Sequence, residues 1–312
     1  MNVSVLDILL PLYLLISLGY VFRHRSFPSL DFWDGVEKLV YFVLFPALIF
    51  SNLARADVNP ALISQILFAV AIPTFIVGAI QWLGFLDKRV SRETFSSMYQ
   101  GAVRNNTTIG LVIAGLILPG QGVAVMALIM TIMVIINNIT CVTVLTHYGD
   151  SGQRDAASQN KSMLRNLAGN PLIIASVAGL AFNFLALRLP DPLHSAIYFL
   201  GQTGLPLALL AVGAGLRLSA SSGKIMVLGL SSITKLLIMP ALIYLFVSLI
   251  DISTNDARIF ILYGALPTAM SSYVLSSQLG GDKQSMAQII TLQTLAAALT
   301  LPVVLLVIQK MG

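Results

Sequence analysis

A run of polar residues interrupts an apolar segment that is otherwise typical of a membrane-spanning helix. Residues 101–115 read GAVRNNTTIGLVIAG, and the polar run within them comprises Arg104, Asn105, Asn106, Thr107 and Thr108. A charged side chain at the centre of a bilayer costs at least about 2.5–3.5 kcal/mol on insertion scales. Asn and Thr are weak helix formers because their side chains compete for backbone hydrogen bonds. We therefore predict local unwinding around a wet cavity lined by protein, the place where irregular backbone is tolerated at this depth.

A second interruption is predicted within residues 263–278, which read YGALPTAMSSYVLSSQ. Pro267 lacks a backbone N–H and breaks the helix before it. Thr268, Ser271 and Ser272 can bond the freed carbonyls or face a ligand. Two broken helices that cross at mid-membrane would turn amide groups and helix N-termini toward a shared point, which favours anions.

The distribution of charge indicates what would bind there. All thirteen acidic residues lie in loops or near the ends of apolar segments, so Arg104 has no obvious carboxylate partner in the chain. An anionic substrate could supply the missing charge through a bidentate carboxylate pair. The alternative is structural, with Arg104 extending to the interface or bonding carbonyls beside the break. Lys235, the other cation within an apolar segment, is expected to extend its ammonium to the interface.

Other polar side chains within apolar segments have two interpretations. Asn137, Asn138 and Gln293 could line the same cavity, or they could form hydrogen bonds between helices. The single Cys141 is interpreted as a packing residue. The sequence has no metal-ligand cluster, cofactor motif or nucleophile–base pair at depth, so neither a cofactor nor an enzymatic activity is expected.

The composition predicts the elements that position these residues. Of 312 residues, 57% are hydrophobic and 10% charged, and repeated apolar runs of about twenty residues are typical of a polytopic helical membrane protein. The net charge of +5 comes from short loops and indicates no nucleic-acid partner. Ten spans are predicted, at 4–22, 36–54, 64–86, 95–117, 122–146, 167–188, 194–216, 224–250, 257–278 and 284–309.

Loop charges predict the orientation of these spans. Twelve Lys and Arg residues lie in or beside the odd-numbered loops, against four on the opposite side. Basic loops stay in the cytoplasm, so both termini are predicted to be extracellular or periplasmic, in a multi-pass protein of the cell membrane.

The two halves of the sequence resemble each other at a nearly constant offset. At a shift of 160, Pro11, Gly19 and Pro46 fall on Pro171, Gly179 and Pro206; at a shift of 163, Thr131 falls on Thr294 and Arg104 on Pro267. Two five-span copies in series must enter the membrane from opposite sides, which is the inverted repeat of many secondary transporters. The predicted repeats are residues 1–146 and 167–312, joined by a cytoplasmic linker at 147–166. The alternative is that the two halves resemble each other by chance, because both are rich in the same apolar residues.

The most distinctive segment resembles the auxin efflux carrier family of bacterial organic-acid permeases and plant auxin exporters. Residues 266–306 contain YVL-x-x-Q-x-GGD followed by T-L…T-L-P, and FVLFPALIFSNLA and NNTTIG in the first half are also similar. The resemblance implies scaffold helices 1, 2, 6 and 7, transport helices 3–5 and 8–10, and a carboxylate held where broken helices 4 and 9 cross. By position, Asn105 and Pro267 match the family's substrate-site asparagine and proline. Arg104 departs from plant members, which have a proline there.

The sequence therefore predicts a transporter that moves a small organic anion by elevator-type alternating access, as a homodimer in the lipid bilayer with H+ or Na+ as the possible coupling ion. Two alternatives remain: a sodium-coupled symporter resembling bile-acid carriers, and a membrane sensor that binds the anion without transporting it. The predicted substrate-binding residues are Arg104, Asn105, Asn106, Thr107, Asn138, Pro267, Thr268, Ser271, Ser272 and Gln293.

Overall fold

The structure is a computed structural model that describes residues 5–56, 61–86, 90–149, 169–215 and 225–311. Within these residues all regular secondary structure is helical, and no strand occurs. Helices satisfy every backbone hydrogen-bonding group within one segment, as a bilayer requires of a polypeptide that crosses it singly. The predicted linker at 147–166 lies largely outside the described residues.

The described residues of the first half form six helices. Helix α1 is Val5–His24. Helix α2 runs through Leu30–Leu39, a π-helical turn at Val40–Leu44 and Phe45–Leu53. Helix α3 runs through Leu62–Ile66, a π-helical turn at Leu67–Ala71, Ile72–Ile80 and a 3-10 turn at Gln81–Leu86. Helices α4, α5 and α6 are Arg92–Val103, Thr107–Ile117 and Gln121–Tyr148.

The described residues of the second half form six more helices. Helices α7 and α8 are Pro171–Phe184 and Asp191–Gly215. Helix α9 runs through Ile225–Ile233, a π-helical turn at Thr234–Ile238 and Met239–Val247. Helices α10, α11 and α12 are Thr254–Ala265, Ser271–Gln278 and Lys283–Gln309.

Six helical stretches of the described chain are long and apolar enough to cross a bilayer. They are Asp31–Leu53, Leu62–Gly84, Gln121–Leu145, Asp191–Gly215, Met226–Val247 and Lys283–Gln309. The predicted fourth and ninth spans are instead each divided into two short helices, α4 with α5 and α10 with α11. In the sixth predicted span the helix Pro171–Phe184 has 14 residues, fewer than a full span.

Each of the three π-helical turns in the described residues ends two residues before a proline. Pro46, Pro73 and Pro240 are the second residues after the turns in α2, α3 and α9. A proline inside a helix lacks the N–H donor, and its ring clashes with the carbonyl four residues before it. A wider turn moves that carbonyl away, so the helix continues past the proline.

The described chain divides into two compact units. The first contains residues within 1–60, 111–131 and 160–216, and the second contains residues within 61–110, 132–159 and 217–312. Helices α5 and α6 contribute residues to both. The second unit contains both predicted interruptions: the polar run from Arg104 to Thr108 and residues 263–278.

Glycines allow close packing of α1 against α8 in the first unit. A Cβ on Gly213 would lie 1.8 Å from the Ile16 carbonyl oxygen, and one on Gly19 would lie 2.0 Å from the Leu210 carbonyl oxygen. Both neighbours are backbone atoms, which cannot rotate away as a side chain would. We expect Gly213→Ala to lower the unfolding free energy by about 1–3 kcal/mol, measured as a lower melting temperature in detergent.

A glycine of α9 provides the matched control. No atom lies within 4 Å of the position that a Cβ on Gly229 would occupy. Gly229→Ala should therefore leave the melting temperature unchanged or raise it, because alanine loses less conformational entropy in a helix. Equal melting temperatures for Gly213→Ala and the wild type would contradict the close packing.

Candidate functional site

The first interruption lies between α4 and α5. Ser91 caps the start of α4, and its hydroxyl accepts a hydrogen bond from the Thr94 N–H. The helix ends at Val103, where Arg104 turns to extended backbone with φ −81 and ψ 147. The Asn106 side chain then begins α5, because its Oδ1 accepts the Ile109 N–H at 3.2 Å. The unwinding predicted from the polar run thus occupies residues 104–106.

The second interruption lies between α10 and α11 and has the same design at its start. Ser253 caps α10 by accepting the Asp256 N–H, and Leu266 turns to extended backbone with φ −67 and ψ 141. The chain stays non-helical until α11 begins at Ser271. The two interruptions touch, because the Asn106 N–H donates to the Pro267 carbonyl at 2.8 Å.

The cap geometry corrects the predicted register of the two halves. Helices α4 and α10 each contain 12 residues, from Arg92 and from Thr254. Their starts and their extended C-caps are both 162 residues apart, so Pro267 corresponds to Asn105 and Leu266 to Arg104. The predicted pairing of Arg104 with Pro267 is wrong by one residue, since it was aligned on small apolar residues that recur in both helices.

Asn105 holds a buried lysine. The Lys235 ammonium donates to Asn105 Oδ1 at 2.8 Å, and Asn105 Nδ2 donates to the Tyr263 carbonyl at 2.5 Å. Lys235 is 0% exposed and lies in the π-helical turn of α9. The prediction that Lys235 extends to the interface is wrong, because its ammonium is buried and bonds to Asn105 at the first interruption.

Arg104 is partly buried and has neutral partners. Its Nη1 donates to Asn138 Oδ1 at 3.0 Å, and its Nη2 donates to Ser271 Oγ at 3.3 Å. Its Nε is buried without a hydrogen-bond partner. Nε and Nη2 together form the edge of a guanidinium that binds a carboxylate bidentately, and here Nη2 bonds to the Ser271 hydroxyl while Nε has no hydrogen-bond partner. Among the described residues no carboxylate lies within ion-pair distance of Arg104 or Lys235.

Gln293 of α12 fixes both interruptions. Its Oε1 accepts the Thr268 N–H at 3.0 Å, and its Nε2 donates to the Gly101 carbonyl at 3.1 Å and to Ser231. The side chain is 0% exposed. An amide therefore supplies partners to backbone groups at the two places where helical hydrogen bonds stop. Gln293 has the contacts of a positioning residue.

The remaining predicted residues lie at the same two interruptions. Thr268 and Ser272 are fully buried, and their hydroxyls have no hydrogen-bond partner. Thr107 is half-buried at the start of α5, and Ser271 is exposed. Sequence reasoning left Asn137 out of the final set, although its Nδ2 donates to the Val103 carbonyl at 3.2 Å. Its position beside Asn138 was the available signal.

The GGD motif ties α12 to the start of α4. Asp282 caps α12 by accepting the Ser285 N–H at 3.0 Å, and its carboxylate also accepts the Thr94 hydroxyl at 2.8 Å. Its own N–H donates to the Glu93 carbonyl at 3.2 Å. The motif thus holds α4 at one end, and Gln293 holds it at the other.

Comparisons with known proteins identify the family of the chain. The family model Mem_trans, described as "Membrane transport protein", matches residues 4–305. A Rhizobium meliloti (strain 1021) protein named "Putative malonate transporter" is 27% identical over 98% of this chain and 97% of its own length. An Escherichia coli (strain K12) protein named "Uncharacterized transporter YfdV" is 25% identical over 86% of this chain and 87% of its own length.

These matches extend over nearly the whole chain, and the matched region contains nearly every residue of the described helices that are long enough to cross a bilayer. The chain is a multi-pass membrane protein, and it belongs to the Mem_trans family of membrane transport proteins, the auxin efflux carrier family that its sequence resembles.

Proposed function

We propose that this protein is a secondary transporter of a small carboxylate, bound at the two helix interruptions. The observation that carries the proposal is Arg104, which lies at an unwound segment with only neutral partners among the described residues. A partly buried cation of this kind is expected to be paired. A carboxylate that displaces the Ser271 hydroxyl would pair with it through Nε and Nη2.

The polar groups around Arg104 have distinct roles in this proposal. Thr107, Thr268, Ser271 and Ser272 line the bound anion, and the unpartnered hydroxyls of Thr268 and Ser272 are free to donate to it. The predicted residues whose polar groups are already engaged act by positioning: Asn105, Asn106, Asn138, Pro267 and Gln293.

The proposed architecture is a ten-helix inverted repeat with crossing broken helices. Three observations support it. The matched caps and equal lengths of α4 and α10 pair the fourth span with the ninth. The π-helical turns before Pro73 and Pro240 pair the third span with the eighth, a pair for which the sequence offered no match. The hydrogen bond from Asn106 to Pro267 joins the interruptions.

Transport then follows an elevator step in which helices 3–5 and 8–10 carry the site past a scaffold of helices 1, 2, 6 and 7. We place the protein in the cell membrane as a homodimer, with both termini outside and a coupling ion of H+ or Na+.

Counterflow in proteoliposomes tests the proposal. The name of the Rhizobium meliloti relative makes malonate the first substrate to try. We expect vesicles preloaded with malonate to accumulate labelled malonate transiently, and proton and sodium gradients imposed separately identify the coupling ion. A sensor would bind malonate, seen as a higher melting temperature, without exchanging it. Neither exchange nor binding of any mono- or dicarboxylate would overturn the proposal.

A further inference from the structure

We infer that Lys235 is a second cation of this site and that, together with Arg104, it selects anions of charge −2 over anions of charge −1. The inference rests on the proposed function and names the substrate class of the same site. It assigns to Lys235 a role that the sequence did not suggest, since that residue was expected at the membrane interface.

Lys235 and Arg104 lie on either side of one neutral side chain. The Lys235 ammonium bonds to Asn105, and Asn105 is the chain neighbour of Arg104. One neutral side chain therefore separates Lys235 from the residue that is proposed to bind the anion. Asn105 satisfies a hydrogen bond of the ammonium but carries no charge to cancel it, since its oxygen bonds to the ammonium and its nitrogen to the Tyr263 carbonyl.

The acidic residues of the second unit lie away from the two cations. In the described part of the second unit they are Glu93, Asp251, Asp256 and Asp282. Glu93 and Asp256 lie in the first turns of α4 and α10, and Asp282 caps α12. The lengths of α4 and α10 place Glu93 and Asp256 about 15 Å from the interruptions at the other ends of these helices. Asp282 bonds to Thr94 at the same end of α4 as Glu93, and Asp251 lies beyond the end of α9 at Val247. Charges at that distance are weak partners for a cation at the interruptions.

The charge of the anion decides how well it neutralises the site. When Arg104 and Lys235 are both protonated, a dianion brings the local charge to zero and a monoanion leaves an excess of one. Water is scarce around a side chain that is 0% exposed, so electrostatic interactions with Lys235 are strong and act over several ångströms. Lys235 contributes its charge through Asn105 and touches no substrate, so it is a specificity-determining residue that acts through its neighbour.

A structural role alone would require a hydrogen-bond donor at Lys235 but no charge. Lys235→Gln separates the two roles, because its side-chain amide can still donate to Asn105 Oδ1 and carries no charge. Lys235→Arg is the matched control that keeps the charge. The probes are malonate and its monoamide malonamate, which have nearly the same shape and differ by one negative charge.

The measurement is inhibition of labelled malonate counterflow by each unlabelled probe. In the wild type we expect malonamate to inhibit at least about tenfold more weakly than malonate, as a single charge interaction in low dielectric implies. In Lys235→Gln that ratio should fall to about threefold or less, mainly through weaker binding of malonate. Lys235→Arg should keep the wild-type ratio.

Two results would overturn the inference while leaving the proposed function intact: equal inhibition by malonate and malonamate in the wild type, or an unchanged ratio in an active Lys235→Gln. The wild-type comparison can overturn the inference even if Lys235→Gln does not fold. Failure of the proposed function has a different signature, since no carboxylate would then exchange in the wild type.

Discussion

Asn105→Leu is expected to destabilise the protein more than any other single change at the site, by about 2–4 kcal/mol. The substitution removes the one hydrogen bond shown for the Lys235 ammonium, which is 0% exposed, and also frees the Tyr263 carbonyl. An uncompensated charge in the protein interior is among the costliest defects in folding. The measurement is the melting temperature of the purified protein in detergent. The shift in melting temperature is converted to a free energy with the entropy of unfolding at the midpoint.

Two further variants test the cause of that loss. Asn170→Ala removes an asparagine that caps α7 by accepting the Leu172 N–H at 2.9 Å, and a lost cap costs about 1 kcal/mol. Lys235→Met in the Asn105→Leu background removes the stranded charge and should recover part of the stability, a coupling visible in a double-mutant cycle. If Asn105→Leu melts at the same temperature as Asn170→Ala or higher, the Lys235–Asn105 hydrogen bond does not stabilise the fold as argued.

Arg104→Gln is expected to have the largest effect on transport. Removing one partner of a hydrogen-bonded charge pair costs about 2–5 kcal/mol of binding, on the order of 30-fold to a few thousand-fold in Kd. Glutamine can still bond to Asn138, so the fold should persist with an unchanged melting temperature in the absence of substrate. The measurement is the initial rate of malonate counterflow against substrate concentration.

Arg104→Lys and Ser271→Ala serve as controls for this prediction. Lysine keeps the charge but lacks the planar edge that binds two oxygens. The affinity of Arg104→Lys for malonate should therefore lie between those of Arg104→Gln and the wild type. Ser271→Ala removes only a 3.3 Å contact to Nη2 and should change KM by less than about tenfold. Counterflow by Arg104→Gln at the wild-type rate and KM would make Arg104 a structural residue.

The interruptions themselves were predictable from the sequence. Five polar residues from Arg104 conflict with the helical pattern around them, and Pro267 removes a donor in an apolar run. Local chemistry of this kind acts within a few residues, so it identifies where a helix stops. The exact pairing of the halves was not accessible, because it depends on the Ser91 and Ser253 caps, whose roles emerge only from backbone geometry.

The partners of the polar side chains were less accessible. Lys235 was misplaced because hydropathy shows that a residue lies within a span but not which way it faces. Gln293 was identified as polar and deep, yet its bonds to Thr268 and Gly101 join residues far apart in the sequence. Tertiary packing decides these partners, and a local sequence pattern contains no information about tertiary contacts.

Cys141 has a practical consequence for following the protein at work. It is the single cysteine of the chain, is 0% exposed, and packs in an apolar cluster with Phe95, Tyr99 and Val103. A buried thiol is alkylated only when its surroundings open, so the rate of maleimide labelling reports how often this region opens. Because no other thiol competes, the unmodified wild-type sequence carries its own reporter. Slower labelling at saturating substrate would record ordering of the region on occupancy, without an engineered probe.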